Sequence, residues 1–105
     1  MKVLEAQKRI AEYQEYIQLY NDYQPSTLKQ HTIKLYAELE HVSKVADDLN
    51  SRGFRVPGKK EGSKVKIISN DVTDLIDSKP DANDKLHFIV RKYLNKNRGK
   101  FRGGK

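Results

Sequence analysis

From Leu28 to Leu49 the core-type positions alternate at spacings of four and three: Leu28, Thr32, Leu35, Leu39, Val42, Ala46 and Leu49. That spacing lines one side of an α-helix and cannot line one face of a strand. The stretch is bounded at both ends. Thr27-Leu28-Lys29-Gln30 has the form of a capping box, and Gly53 is a natural C-terminal stop. Residues 27–52 therefore read as helical. They form either one long helix or two helices broken near Glu40–His41, and periodicity alone does not choose between these. At 105 residues, 36% hydrophobic and 33% charged, the chain can build only one small core around this segment.

The rest follows the same logic. Residues 2–23 carry Val3, Ala6, Ile10, Tyr13, Ile17 and Tyr20 at helical spacing, with Tyr16 and Tyr23 flanking the stripe. This helix is expected to form a hairpin with 27–52. Its regular, tyrosine-bearing stripe also suits a coiled-coil homodimer through residues 2–23. Residues 54–69 are a loop punctuated by Pro57, Gly58 and Gly62, with one strand, Lys64 to Ser69. Asn70 or Ser69 caps a helix over 70–77, with Val72, Leu75 and Ile76 inward. Asp81 caps a last helix over 81–96, with Leu86, Ile89, Val90, Tyr93 and Leu94 as its stripe. The expected fold is mainly α. A single domain over 1–96 has an N-terminal helical hairpin and a helix-turn-helix-like unit with a basic loop or short β wing. Residues 97–105, glycines among cations, are expected to be a disordered basic tail whose removal leaves stability nearly unchanged.

Charge is segregated. No acidic residue follows Asp84, and the last fifteen positions carry Arg91, Lys92, Lys96, Arg98, Lys100, Arg102 and Lys105, a charge of +7 that equals the net charge of the chain. Arg52, Arg55, Lys59, Lys60, Lys64 and Lys66, against Glu61 alone, add a second cluster of +5. Grouped cations release condensed counterions from a nucleic-acid backbone, so the clusters imply a polyanionic partner.

The run from Tyr36 to Pro57, with Val45-Ala46-Asp47-Asp48-Leu49-Asn50-Ser51-Arg52-Gly53 at its centre, is followed by Ser69-Asn70-Asp71-Val72-Thr73-Asp74-Leu75-Ile76. Together they resemble the helix-turn-helix-like segment of the DNA-binding region of large serine recombinases and related phage proteins. The resemblance spans about forty positions and implies DNA binding without recombinase activity, because the family's catalytic portion has no room here. In this chain the segment that would read bases carries Asp71, Asp74 and Asp77, which repel phosphate. Helix 70–77 is therefore expected to be solvated or partner-facing, although Asn70 and Thr73 are its candidate contacts to base edges.

The expected phosphate contacts are Arg52, Arg55, Lys59, Lys60, Lys64 and Lys66 in the loop, and Arg91, Lys92, Lys96, Arg98, Lys100, Arg102 and Lys105 toward the C-terminus. Phe101 is placed to stack on a base. No catalysis is expected. His31, His41 and His87 lie on three separate segments without metal-ligand spacing, and Gly58 and Gly62 near Lys59 and Lys60 lack the spacing of a phosphate-binding loop. No cofactor, metal or small-molecule substrate is implied, and without cysteine there is neither a disulfide framework nor a thiolate site. No apolar run approaches the roughly 18 residues of a membrane span. Met1-Lys2-Val3-Leu4-Glu5 lacks the apolar core of a signal peptide, so a cytoplasmic, nucleic-acid-associated location is expected. The favoured function is non-catalytic nucleic-acid binding of phage, plasmid or regulatory type, DNA ahead of RNA. The alternatives are a small helical protein-interaction module, adaptor or inhibitor, and an RNA- or ribosome-associated protein.

Overall fold

The computed structural model describes residues 2–103, with side chains through residue 98. It is mainly helical: α1 Val3–Asp22, α2 Leu28–Leu39, α3 Val42–Ser51, α4 Ser69–Asp77 and α5 Lys85–Gly103, with a two-stranded antiparallel sheet of β1 Val56–Pro57 and β2 Lys64–Val65. Helices α2, α3 and α4 pack against one another, and α5 lies against α2 and α4. The buried core is Ile33, Leu35 and Tyr36 from α2, Val45, Ala46 and Leu49 from α3, Ile67 from the sheet exit, Val72 and Ile76 from α4, and Leu86, Val90 and Leu94 from α5.

Residues 27–52 form two helices. Glu40 adopts a left-handed conformation, φ 50°, with its N–H donating to Tyr36 O at 2.8 Å. That conformation costs a non-glycine residue about 1 kcal/mol. The turn lets the α3 face (Val42, Val45, Ala46 and Leu49) fold back on the α2 face (Thr32, Ile33, Leu35 and Tyr36). The start of α2 has the capping box read from Thr27 and Gln30. Thr32 stands in an apolar stripe because its hydroxyl donates to Leu28 O at 2.8 Å.

Helix α1 matches its expected bounds, but its packing does not. It lies chiefly on α5 rather than along α2. The residues that touch the core are Tyr16, Leu19 and Tyr23, while Val3, Ile10, Tyr13 and Ile17 are exposed. The two helices run antiparallel. Tyr23 OH donates to Asp84 Oδ2 at 2.8 Å, and Tyr16 meets Tyr93 edge-on at 5.4 Å. Burial pushes the Tyr16 phenol up to about 12, and raises that of Tyr23 further, with Asp84 adding to it. Lys34 closes the C-terminus of α1, donating to Tyr23 O at 2.8 Å and sitting 4.9 Å from the Tyr20 ring. Since contact is confined to the second half of α1, the molecule is elongated. Its radius of gyration is 15.7 Å, where a compact chain of this length has about 13 Å.

Helix α5 begins later and ends later than expected. Asp84, not Asp81, is its cap: Asp84 Oδ1 accepts from His87 N–H at 3.0 Å, while residues 81–84 make a turn. The helix continues through residues 97–103, where a tail was expected. Two side chains hold this extension to the body. Asn97 donates to Tyr36 OH at 2.9 Å, and Arg98 makes a bidentate pair with Asp77, both bonds 2.8 Å. Residues 104 and 105 lie outside the described residues.

His87 is fully buried. Its Nε2 is 2.8 Å from Ile76 O, so this nitrogen carries the proton, and Nδ1 has no partner among the described residues. Burial lowers its pKa below the ordinary 6.5. Lys29 and Arg91 push the same way, against the bond to Ile76 and the charge of Asp84. A depressed pKa favours protonation of the unfolded chain, so the stability is present above about pH 6.5 and is lost as pH falls toward the folded value. Thermal melts should show wild type losing stability between about pH 7 and 5, while His87→Gln, less stable at pH 7, loses less over that interval. Parallel curves would assign the acid sensitivity to other groups. A second expectation reverses the one drawn from sequence: deletion of residues 97–105 should cost about 1–2 kcal/mol through Asn97 and Arg98. An unchanged melting temperature would show that neither contact contributes.

Candidate nucleic-acid interface

The basic loop is built outward from the end of α3. Gly53, at φ 92°, donates its N–H to Asn50 O at 3.0 Å, and Phe54 N–H donates to Leu49 O at 3.1 Å. This pair of bonds closes the helix and turns the chain sharply. Phe54 then anchors against the core and leans on the His31 ring, centroids 5.1 Å apart. Beyond it the chain forms the β1–β2 hairpin, with Val56 opposite Val65 and Pro57 opposite Lys64. The expected strand over 64–69 is thus shorter and is paired with residues read as loop. At the tip, Gly58 N–H donates to Ser63 O at 2.9 Å, and Ser63 donates to Lys60 O through both its N–H and its hydroxyl. A Cβ on Gly58 would crowd Ser63 Oγ, so a larger residue there would displace that hydroxyl from its bond to Lys60 O.

One side chain ties this hairpin to the body. The Asn50 amide donates through Nδ2 to Ile67 O at 2.8 Å, and its Oδ1 accepts from Ile67 N–H at 2.8 Å. It replaces a strand partner for Ile67, which leaves the ladder and enters the core. Composition and charge gave no role to Asn50. Its position one residue after a core leucine and three before the helix-stopping glycine was the available clue.

The loop cations divide into two groups. Arg52 is paired with Asp48 at 2.6 Å on the same helix face, and Arg55 Nη1 donates to the carbonyls of Phe54 at 2.6 Å and Asn50 at 3.1 Å. Both are exposed but already bonded. Lys59, Lys60, Lys64 and Lys66 are all exposed, and among the described residues none forms an ion pair.

Helix α4 lies beside the hairpin: Val56 and Pro57 line a shallow depression with Asp71, Asp74, Leu75 and Ser78. Two of its three aspartates are occupied. Asp71 reaches back to Ile68 N–H at 3.0 Å and caps the helix, and Asp77 holds Arg98. Asp74 remains exposed beside Asn70. Thr73 is half-buried and faces a cavity of about 530 Å³ lined also by Tyr36, His41, Val42, Leu94 and Asn97, so it does not share the outward face of Asn70.

On α5, Lys92 and Lys96 are exposed and Arg91 is half-buried. Arg98 also contacts Asn95 and is bonded within the fold. Lys100, Phe101 and Arg102 fall in the last turns of α5, where side chains lie outside the described residues, as does Lys105 altogether. The outward face of α5 adds two residues that charge counting missed or underweighted, Lys85 and the exposed Phe88. With Lys92 and Lys96 they recur at helical spacing. The candidates whose side chains are described therefore do not form one patch. The exposed lysines fall on two surfaces, the hairpin (Lys59, Lys60, Lys64 and Lys66) and the outer face of α5 (Lys92 and Lys96, joined there by Lys85 and Phe88).

No helix among the described residues is long and apolar enough to cross a membrane. Comparison with models of protein families, with curated proteins and with solved structures finds no match.

The Asn50 clamp is open to direct measurement. Asn50→Ala leaves the Ile67 N–H and C=O without their partner and should cost about 2–3 kcal/mol, read as a lower denaturation midpoint. Asn50→Asp should be little better, since it keeps the acceptor but sets a carboxylate against a carbonyl. Wild-type stability in Asn50→Ala would show that water serves Ile67 equally well.

Proposed function

We propose that the chain is a non-catalytic DNA-binding protein in which α3, the β1–β2 hairpin and α4 act as a helix–wing–helix unit. The hairpin contacts phosphate and the exposed start of α4 lies toward the groove. The observation that carries this reading is the hairpin itself: Lys59, Lys60, Lys64 and Lys66 stand exposed on and beside a tip closed by its own backbone bonds. Charges carried on a backbone already ordered by folding favour phosphate contact, because that part of the ordering entropy is not incurred on binding. The internal use of Asp77 supports the reading, since its pair with Arg98 offsets one of the three negative charges that α4 presented in the sequence. The local resemblance to recombinase DNA-binding segments points the same way.

A second reading draws on a different surface. Phe88, exposed among Lys85 and Lys92 on α5, is suited to stacking on an unpaired base, which favours RNA or single-stranded DNA. Titration against duplex DNA, single-stranded DNA and structured RNA across a salt series separates the two. Lys59→Ala with Lys60→Ala should leave the melting temperature unchanged and lower the slope of log affinity against log salt on duplex by about 1.8. Phe88→Ala should leave duplex binding intact. An unchanged salt slope in the lysine variant would remove the hairpin from the interface. Loss of single-strand binding alone in Phe88→Ala would establish the second reading.

A further inference from the structure

Helix α4 starts on an isoleucine. The carbonyl of Ile68 accepts the first bond of the helix, from Val72 N–H at 3.3 Å, so Ile68 holds the N-cap position. That position favours Ser, Thr, Asp or Asn, whose side chains accept from the free N–H groups of the first turn. Half of a capping box is already in place, because the Asp71 carboxylate accepts from Ile68 N–H at 3.0 Å. The other half, a side chain at position 68 that accepts from Asp71 N–H, is missing. At the start of α2 the same device is complete, built from Thr27 and Gln30. Ile68 is not a core residue either. It is 57% exposed, whereas its neighbour Ile67 is buried. Neither capping nor burial accounts for an isoleucine here.

The residues around it indicate the partner. Lys66 and Asn70, two positions to either side, are exposed, and Lys59, Lys60 and Lys64 precede them on the hairpin. Resting on the DNA-binding reading above, we propose that Ile68 reads sequence by meeting the C5-methyl group of thymine in the major groove. That methyl is the only alkyl group that the base pairs present there, and apolar side chains recognise it by contact. The hairpin lysines position the chain on phosphate without carrying sequence information, and Ile68 supplies it at the entry to α4. The contact excludes water between two apolar groups and needs no charge, so it tolerates the Asp71 carboxylate bonded beside it. It also favours DNA over RNA, because uracil lacks the methyl group.

Two alternating duplexes that differ only in this group, poly(dA-dT) and poly(dA-dU), test the contact when titrated at one low salt concentration. Wild type should bind the thymine duplex about fourfold more tightly, the effect of burying one methyl group. Ile68→Ser should bind the two duplexes equally, with wild-type affinity for the uracil duplex, since the lysines are untouched. The same variant should melt several degrees above wild type, because its hydroxyl completes the box with Asp71. Equal binding of the two duplexes by wild type would overturn the proposal and leave the DNA-binding reading standing. So would a thymine preference that survives in Ile68→Ser, which would come from the shape of the duplex instead. A lower melting temperature in Ile68→Ser would assign the side chain to packing and would also overturn it. A wild type that binds neither duplex would remove the inference and the DNA-binding reading together.

Discussion

The paired hydrogen bonds between the Asn50 side chain and the Ile67 backbone hold the basic hairpin to the helical body. A two-residue strand pair is too short to be stable alone. Here its entry is set by the glycine stop of α3 and its exit by one amide that satisfies both polar groups of Ile67. Once Ile67 is bonded in this way, it can be buried without an orphaned backbone group. Its burial among the core residues then fixes where α4 begins. The direction of the hairpin, the start of α4 and the outward position of Asn70 all depend on this junction.

The basic stretches show a division of labour between arginine and lysine. Arg52, Arg55 and Arg98 are bonded within the fold, to Asp48, to the carbonyls ending α3 and to Asp77. The planar guanidinium, with several fixed donors, suits carboxylates and carbonyl groups that the fold holds in place. The lysines of the hairpin and of the outer face of α5 remain exposed. Counting cations along the chain does not distinguish Arg52 and Arg98, whose charges are paired within the fold, from those without an ion pair among the described residues. The aspartates of α4 divide as well: Asp71 caps the helix and Asp77 pairs with Arg98, while Asp74 stands exposed.

The α1 helix illustrates how a strong pattern can point away from the core. Its most regular stripe is exposed, and the residues that dock it, Tyr16, Leu19 and Tyr23, occupy a different side in its last turns. Tyrosine suits this role because the ring packs while the hydroxyl reaches a partner: Tyr16 to Ala37 O, Tyr20 to Glu38 and Tyr23 to Asp84. Those polar ends fix the approach of α1 to the body more narrowly than aliphatic contact would.

Local signals in the sequence determined the number and approximate ends of most elements. The Thr27 capping box, the Gly53 stop and the apolar spacing of α1, α3 and α4 each act within a few residues, where the physics is that of one turn of helix. What the tertiary structure alone decided involves partners far apart in the chain. Glu40 takes a left-handed turn without a residue that favours it, because the turn lets two apolar faces share one core. Pro57 pairs with Lys64 because Asn50 and Gly58 bring the strands together. Asp84 displaces Asp81 as the cap of α5, and that helix continues past Asn97 because Tyr36 and Asp77 are there to receive Asn97 and Arg98. Periodicity identifies a helical face but not what it meets, since the energy of a face resides in the surface that covers it.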